Sequence, residues 1–451
     1  MRVGSFKKKI YCAVISIGIM CSISGCTIPG KDKKDNKNVT ENEITTEAVT
    51  DAVTETTEAI TTTTEVQHDI RTLTITATGD CALGPIQTHG YGGSFHEYYD
   101  NYGEGYFLQN FKELFEADDF TLVNLECALT ERPFYPDSNP DKEFFIVGRP
   151  EYAGILSSAG VEGCSLGNNH SKDVGTAGLE DTEAACDSAG IKWAVDDVSA
   201  IYETEDGYTI GFASSLLTGP VERENYIRNA IQQFNEQDVD IIVACCHWGE
   251  EKEYYPTDYQ KRLAHEFVDL GADLIIGNHP HVVQGVEYYN GKVICYSLGN
   301  FCFGASHHPY DMEDMVFQQT FTFVDGELRA TLDAHIIPVR ISTDASSNDF
   351  QPVYLEGEEK SSFIERVNTY SEACGNVEFD ENGKLLVDYG DMMSDDGSNA
   401  SEDGTVIYED DSESENPEEI SDGENDTNEN PSNAADNEAS GEVVEDMEGN
   451  E

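Results

Sequence analysis

The chain has 451 residues and a formal net charge of −62, because 88 Asp and Glu outnumber 26 Lys and Arg. A surface this acidic repels phosphate backbones and anionic lipid head groups, which excludes nucleic acid as a partner. The sequence is 38% hydrophobic, and its length allows one large folded domain or two small ones.

The first 26 residues have the features of a bacterial lipoprotein signal peptide. Residues 7–9 are all lysine, and an apolar stretch spans residues 10–23. A membrane-spanning helix needs roughly 20 apolar residues, so this stretch is too short. It ends in Ile-Ser-Gly-Cys, which resembles a lipobox, and we expect Cys26 to be lipidated. Cys26 would then anchor the protein to the extracytoplasmic face of the cell membrane. The alternative is an ordinary secretory signal in which Cys26 has no role.

Two segments of low complexity flank the middle of the chain. Residues 27–67 are rich in Thr and Glu and poor in large apolar residues, which predicts a disordered tether. Residues 391–451 hold 23 acidic residues and no Lys or Arg, which predicts a disordered, self-repelling tail. The tail would either keep the protein soluble or bind cations or a basic cell-wall component.

Residues 68–390 form the predicted folded domain. Six apolar runs, mostly continuous in Val, Ile, Leu, Ala and Cys, are typical of strands buried on both faces. They are residues 72–78, 119–123, 161–166, 239–246, 272–277 and 292–298. Helical patterns cover residues 106–118, 149–160, 176–190, 223–238, 257–273 and 356–375. The turn residues Asp325 and Gly326 predict a β-hairpin. The alternation of helices and strands predicts an α/β fold with a mainly central sheet.

Nine cysteines lie in this domain, and we expect them to be buried free thiols. Their number is odd, most sit in apolar runs, and no CxxC or zinc-finger spacing is present. Disulfides would be the usual alternative in a secreted chain.

Each predicted strand is followed by polar residues, and several of these are metal-ligand types. They are Asp80, Glu126, Asn169, His170, His247, His279 and His281. Ligands of open α/β sheets bind beyond the carboxyl ends of the strands, so we expect these side chains at one rim. Carboxylates and imidazoles bind divalent first-row metals, and a bridging carboxylate such as Glu126 could hold two ions. Alternatively, the histidines are structural and Asn168 and Asn169 cap the next helix.

The order and spacing of these motifs resemble the CapA family, named for poly-γ-glutamate capsule biosynthesis. The motifs are Gly79-Asp80, Asn124-Leu125-Glu126, Asn168-Asn169-His170 with Asp173 and Gly175, His247-Trp248-Gly249, Gly277-Asn278-His279-Pro280-His281 and Ser297-Leu298-Gly299-Asn300-Phe301. The resemblance covers about residues 72–340. It implies a four-layer α/β/β/α sandwich, similar to the calcineurin-like metallophosphoesterases, with two metals at the sheet rim.

The resemblance also implies a role for each candidate. Asp80 and His281 would bind the first metal, Asn169, His247 and His279 the second, with Glu126 as the bridge and His170 in the position of a general acid. The metals would be Mn, Zn, Fe or Mg. The phosphoesterases have a histidine two residues after the first Asp, where this chain has Ala82. One ligand of the first metal is therefore missing.

Two cations and two further histidines are additional candidates. Lys142 and Arg149 are among the few cations of an acidic domain, and we expect them to bind a carboxylate or phosphate of the substrate. The alternative is that both are ordinary surface charges. His307 and His308 could reach the same rim.

Together, the residues and the resemblance predict a lipid-anchored surface protein of capsule or poly-γ-glutamate biosynthesis or processing. Its partners would be the membrane, the anionic polymer and other capsule synthesis subunits. In a hydrolytic reaction, a metal-activated water would attack an amide or phosphoester and His170 would protonate the leaving group. Two alternatives remain: a non-catalytic assembly or tethering subunit with a degenerate metal site, and a surface phosphoesterase unrelated to capsules.

Overall fold

The computed structural model describes residues 68–133, 142–329, 332–375 and 377–387. The predicted lipobox with Cys26, the Thr- and Glu-rich segment and the acidic tail lie outside the described residues. Within the described ranges, no helix combines the length and the apolar character needed to cross a membrane.

Helices and strands alternate along the described chain. The strands are β1 (Ile70–Ala82), β2 (Phe120–Leu125), β3 (Ala128–Leu129), β4 (Val147–Gly148), β5 (Gly163–Ser165), β6 (Lys192–Ala194), β7 (Ala200–Glu203), β8 (Thr209–Leu216), β9 (Ile241–His247), β10 (Leu274–Asn278), β11 (Val286–Tyr289), β12 (Lys292–Cys295), β13 (Asn300–Phe303), β14 (Glu313–Val324), β15 (Glu327–Leu328), β16 (Asp333–Arg340), β17 (Val353–Tyr354), β18 (Val377–Phe379) and β19 (Leu385–Val387). The α-helices are α1 (Phe95–Tyr102), α2 (Lys112–Phe115), α3 (Ala153–Ser157), α4 (Gly175–Ala189), α5 (Glu224–Glu236), α6 (Asp258–Leu270) and α7 (Gly357–Glu372).

Two mixed sheets form the centre of the domain. The first has the order β17-β16-β14-β1-β2-β5-β6, and β13 also pairs with β1. Its strands β1, β2, β5 and β6 are parallel, whereas β14 and β16 are antiparallel. The second sheet has the order β11-β12-β10-β9-β8-β7, with parallel strands from β12 to β8. The parallel strands carry their carboxyl ends to one edge of each sheet.

The two sheets pack face to face and helices cover both outer faces. Side chains of β1 such as Ile75 share one apolar core with side chains of β9 such as Val243. A second core lies between the first sheet and α1 to α4, and a third lies between the second sheet and α5 and α6. The layers therefore run α/β/β/α, as expected.

The adjacent residues Cys245 and Cys246 show how one strand of the second sheet contributes side chains to two apolar cores. Alternation along β9 places Cys245 in the core between the sheets and Cys246 in the core beneath the helices. All nine cysteines of the described chain are free, and eight of them are buried. The prediction of buried thiols holds for these eight, whereas Cys374 is half-buried.

The six predicted strands and five of the six predicted helical segments are present. The helix predicted over residues 106–118 was wrong, because only the single turn of α2 forms there. Side chains of this segment contact residues in and next to β17: Asn110 donates its Nδ2–H to the carbonyl of Pro352 at 2.9 Å, and the Phe111 ring stacks on Tyr354.

Candidate metal centre

The ends of four parallel strands carry the candidate ligands to one place. In the first sheet, Asp80 lies near the end of β1 opposite Asn124, and Glu126 follows β2 directly. In the second sheet, His247 ends β9 opposite Asn278, the last residue of β10. Because the sheets pack face to face, carboxylates from one sheet meet imidazoles from the other.

Two groups of ligand atoms result, and they share one residue. Asp80, Glu126 and His281 offer ligand atoms that all lie within 4.8 Å of one another. Glu126, His247 and His279 form a second group of the same kind. Glu126 therefore stands between both groups.

A strained turn presents the two histidines that follow β10. His279 and His281 have φ of 102° and 55°, in a region that residues with side chains rarely adopt. Hydrogen bonds hold the turn, since Lys252 donates its backbone N–H to the carbonyl of Pro280 at 2.8 Å. Both imidazoles consequently face the carboxylates of the first sheet.

The surroundings of Glu126 fit a bound cation. Its side chain is fully buried, and neither carboxylate oxygen has a hydrogen-bond partner. His247 Nε2 lies 3.4 Å from one oxygen and His281 Nδ1 lies 3.9 Å from the other. Burying a carboxylate without hydrogen bonds is costly, and a divalent cation at these oxygens would offset that cost. The donor set of carboxylates and imidazoles suits such a cation.

Burial and mutual charge set the protonation of these groups. Burial lowers the pKa of His247 and of His279 to about 3, so both imidazoles are neutral at pH 7 and each has one ring nitrogen without a proton. Burial, with the nearby Asp80 charge, raises the pKa of Glu126 to about 8. For His281, burial is outweighed by the carboxylates of Glu126 and Asp80, which raise its pKa to about 10. A cation would therefore displace protons from Glu126 and His281.

An amide network behind the ligands fixes their orientation. Asn124 donates its Nδ2–H to Asp80 Oδ1 at 2.7 Å, and the same nitrogen lies 3.3 Å from His247 Nδ1. Ser165 in turn donates to Asn124 Oδ1 at 2.7 Å. Asn300 Oδ1 lies 3.0 Å from His281 Nδ1. Asn124 and Asn300 stood in the motifs of the sequence, but their type gave no sign that they orient ligands.

The remaining candidates from the loop after β5 lie beside the second group. Asn169 Oδ1 lies 2.7 Å from His247 Nε2. The buried His170 has its Nδ1 2.8 Å from the buried carboxylate of Asp173. Lys142 contacts the other oxygen of Asp173 and donates to the carbonyl of Asn169 at 2.5 Å. Lys142 thus lies next to the centre, with its ammonium engaged by protein groups.

Three further candidates are not brought to the ligand groups. Arg149 forms an ion pair with Asp100, with 2.6 Å between Nη1 and Oδ1. His307 contacts the carbonyl of Asn348, and the exposed His308 belongs to neither group. Ala82 is buried in its pairing with β13, and no imidazole stands in its place.

The protein is a four-layer α/β/β/α sandwich. Carboxylates and imidazoles at its strand ends form a candidate metal centre. The family model described as "Bacterial capsule synthesis protein PGA_cap" matches residues 74–194 and 196–305, and the chain belongs to this family. The resemblance inferred from the motifs is confirmed.

Several curated relatives are similar in sequence. The chain is 32% identical over 217 residues to "PGA biosynthesis protein CapA" of Bacillus subtilis (strain 168). The matched residues cover 44% of this chain and 56% of the relative. Over 255 residues it is 29% identical to "Capsule biosynthesis protein CapA" of Bacillus anthracis, covering 51% and 60%. A probable polyglutamine synthesis accessory protein of Mycobacterium tuberculosis (strain ATCC 25618 / H37Rv) is 27% identical, covering 50% and 67%. The matched part thus spans little more than half the length of the two Bacillus relatives.

Among solved structures, the protein TT1561 of Thermus thermophilus matches at 10% sequence identity, covering 55% of this chain and 94% of that one. The TM-score is 0.33, which is too low to define a shared fold.

Proposed function

We propose that the protein acts in the biosynthesis or processing of a capsule polymer of the poly-γ-glutamate type, through a divalent-metal centre. The observation that carries the proposal is the fully buried, hydrogen-bond-free carboxylate of Glu126 between two groups of metal-ligand side chains. Membership of a capsule synthesis family and the names of the two Bacillus relatives support the polymer.

The residues divide into two coordination sets with one bridge. Asp80 and His281 would hold one cation, His247, His279 and the Asn169 oxygen a second, and Glu126 would contact both. Bound there, Mn, Zn, Fe or Mg would polarise a substrate oxygen and lower the pKa of a bound water.

His170 is the proposed proton donor of a hydrolytic reaction. Asp173 faces its Nδ1, so the proton on Nδ1 is held by the carboxylate and Nε2 is the nitrogen left to exchange a proton. The backbone N–H of Ile146 also donates to this carboxylate, at 2.6 Å, which fixes the carboxylate that orients the ring.

The test combines metal analysis with a cellular assay of full-length variants. Glu126→Gln and His281→Ala should lose bound metal and fail to restore polymer production in cells that lack the chain. His265→Ala is a matched control, because His265 also pairs with a carboxylate, Glu287, at 2.9 Å, outside the centre. Normal polymer production by both centre variants would refute the proposal.

A non-catalytic assembly or tethering subunit is the second candidate, and Ala82 favours it because one expected ligand is missing. The purified, metal-loaded chain should be offered γ-glutamyl oligomers and a panel of phosphoesters. Turnover of the oligomers supports the enzyme, and turnover of phosphoesters alone points to a phosphoesterase unrelated to capsules. No turnover, combined with polymer loss in the Glu126→Gln cells, supports the assembly role.

We further propose that Cys26 is lipidated and holds the domain at the extracytoplasmic membrane face. The lysines, apolar stretch and lipobox-like end of residues 1–26 support this anchor. Cys26→Ala should move the protein from the membrane fraction to the medium or periplasm. Retention of this variant in washed membranes would contradict the anchor.

A further inference from the structure

A cavity of about 150 Å³ opens beside the metal centre, and Asn169 belongs to both. The Asn169 side-chain oxygen lies 2.7 Å from His247 Nε2, while the same residue lines the cavity. The charged residues of its walls are Lys172, Asp196 in the turn after β6, and Arg223 just before α5. A group bound in the cavity would therefore adjoin a group bound at the centre.

The guanidinium of Arg223 is the unusual feature of this cavity. Arg223 is half-buried, yet its side chain makes no hydrogen bond or ion pair with the described residues. Each of the other eight arginines in the described ranges has a carboxylate oxygen within 3.9 Å. In a chain with more than three acidic residues for each basic one, an arginine without an acidic partner is exceptional.

Glu224, the acidic residue that follows Arg223 in the chain, is already bound elsewhere. Glu224 is buried and forms ion pairs with Arg228 and Arg262, towards α6. Within the cavity, Asp196 is paired with Lys172 at 3.1 Å and accepts a hydrogen bond from Ser215. The walls thus carry two cations against one carboxylate, and the guanidinium remains available for an external anion.

We propose that this cavity binds a carboxylate of the substrate polymer next to the unit held at the metal centre, an inference that rests on the proposed function. A γ-linked glutamyl chain has a free α-carboxylate on every unit. A guanidinium offers paired N–H donors to a carboxylate and holds it with charge-assisted hydrogen bonds. Because the domain as a whole repels anions, this cation selects where along the rim a polyanion docks.

Inorganic phosphate is also an oxyanion that a guanidinium can bind, so the experiment must distinguish phosphate from a glutamyl carboxylate. The purified full chain is titrated calorimetrically with a short γ-glutamyl oligomer, with its fully amidated counterpart and with inorganic phosphate. The variants are Arg223→Gln, Arg223→Lys and the control Arg71→Gln. Arg71 lies at the start of β1, at the opposite end of that strand from Asp80.

Arg223→Gln should weaken binding of the oligomer about tenfold, the value of one charge-assisted contact. Arg223→Lys should lie between this variant and the wild type, Arg71→Gln should match the wild type, and the amidated oligomer should bind weakly to every variant. Unchanged oligomer binding by Arg223→Gln would overturn the proposal. Arg223-dependent binding of phosphate without binding of the oligomer would overturn the assignment to a glutamyl carboxylate.

Metal content measured on the same samples separates this inference from the proposed function. If Glu126→Gln loses its metal while Arg223→Gln binds the oligomer normally, only the role of the cavity is wrong. If Glu126→Gln keeps its metal, the proposed function is wrong whatever Arg223 does.

Discussion

The two buried carboxylates of the centre have opposite surroundings. Asp80 accepts a hydrogen bond from Asn124 and lies 3.1 Å from His281 Nδ1. Although burial favours its neutral form, these partners keep the pKa of Asp80 below its ordinary value. Glu126 has no such partners, and its pKa rises. Asp80 is thus stabilised as a charge by the protein itself, whereas Glu126 has no hydrogen bond to stabilise its charge, and a bound cation would do so.

Asn124→Ala should reduce metal affinity by about 10- to 100-fold, as is typical when a residue that orients ligands is removed. The change takes away the amide that holds Asp80 and contacts His247. Competition with a chromophoric chelator measures the affinity. Asn110→Ala is the control, since Asn110 binds a backbone carbonyl far along the chain at Pro352. Equal affinities for the two variants would contradict a role for Asn124.

At the level of residues, the sequence predicted which side chains could bind a metal better than it predicted which side chains contact each other. Asp80, Glu126 and His281 could be proposed because their types and their positions after strands were visible. The pairing of Arg149 with Asp100, and the engagement of Lys142 by Asp173, depend on three-dimensional neighbours that no spacing reveals. Arg223 gave no signal at all, because an arginine without a partner is recognised only once every carboxylate has been placed.

At the level of elements, continuous apolar composition predicted the buried strands well. β9 and β10 are such runs: β9 ends at the candidate ligand His247, and β10 ends at Asn278, directly before the candidate ligand His279. β8 (Thr209–Leu216) was not predicted, because its Gly and Ser residues dilute the apolar pattern, although it is an interior strand of the second sheet. Short elements such as α2 depend on tertiary contacts more than on local periodicity.

Two acidic residues at the amino ends of β2 and β5, away from the strand ends that carry the candidate ligands, should make the free energy of unfolding depend on pH. Burial raises the pKa of Asp118, before β2, and of Glu162, before β5, to about 7 each. The native state therefore binds more protons than the unfolded state between about pH 4 and 7. The contribution of these groups to stability is full below this window and is lost as the pH rises through it, by up to about 1.4 kcal/mol per pH unit for each proton.

Glu162→Gln removes one of these groups, and its neutral amide oxygen can still accept the backbone N–H of Thr121. The variant should be more stable than the wild type at pH 7 and should lose less stability between pH 4 and 7. Urea unfolding at several pH values measures this. Glu113→Gln makes the same chemical replacement at an exposed position and serves as the control. A slope for Glu162→Gln equal to that of the wild type would show that Glu162 is not responsible.

At the level of the whole molecule, the centre exists only because two sheets meet. The first sheet supplies Asp80 and Glu126, and the second supplies His247, His279 and His281. The apolar core between the sheets therefore holds the ligand groups together. The layer order could be expected from the resemblance of the motifs, but the distances between the ligand atoms could not, because packing of the two faces sets them.

Metal binding should consequently stabilise the entire domain. Free metal at 100 times its Kd adds about 2.7 kcal/mol to the free energy of unfolding if the unfolded chain does not bind it. A chelator should lower the midpoint of thermal unfolding of the wild type and should not change that of Glu126→Gln. A chelator effect of the same size in both chains would place the metal elsewhere.

The most direct measurement is anomalous diffraction from crystals of the full chain grown with Mn²⁺. Two peaks about 3.5–4 Å apart should flank the carboxylate of Glu126, one towards Asp80 and His281 and the other towards His247 and His279. Crystals of Glu126→Gln should lose both peaks. Wild-type crystals with no anomalous density at Glu126, under conditions in which Mn²⁺ binds to other sites, would contradict the assignment of a metal centre.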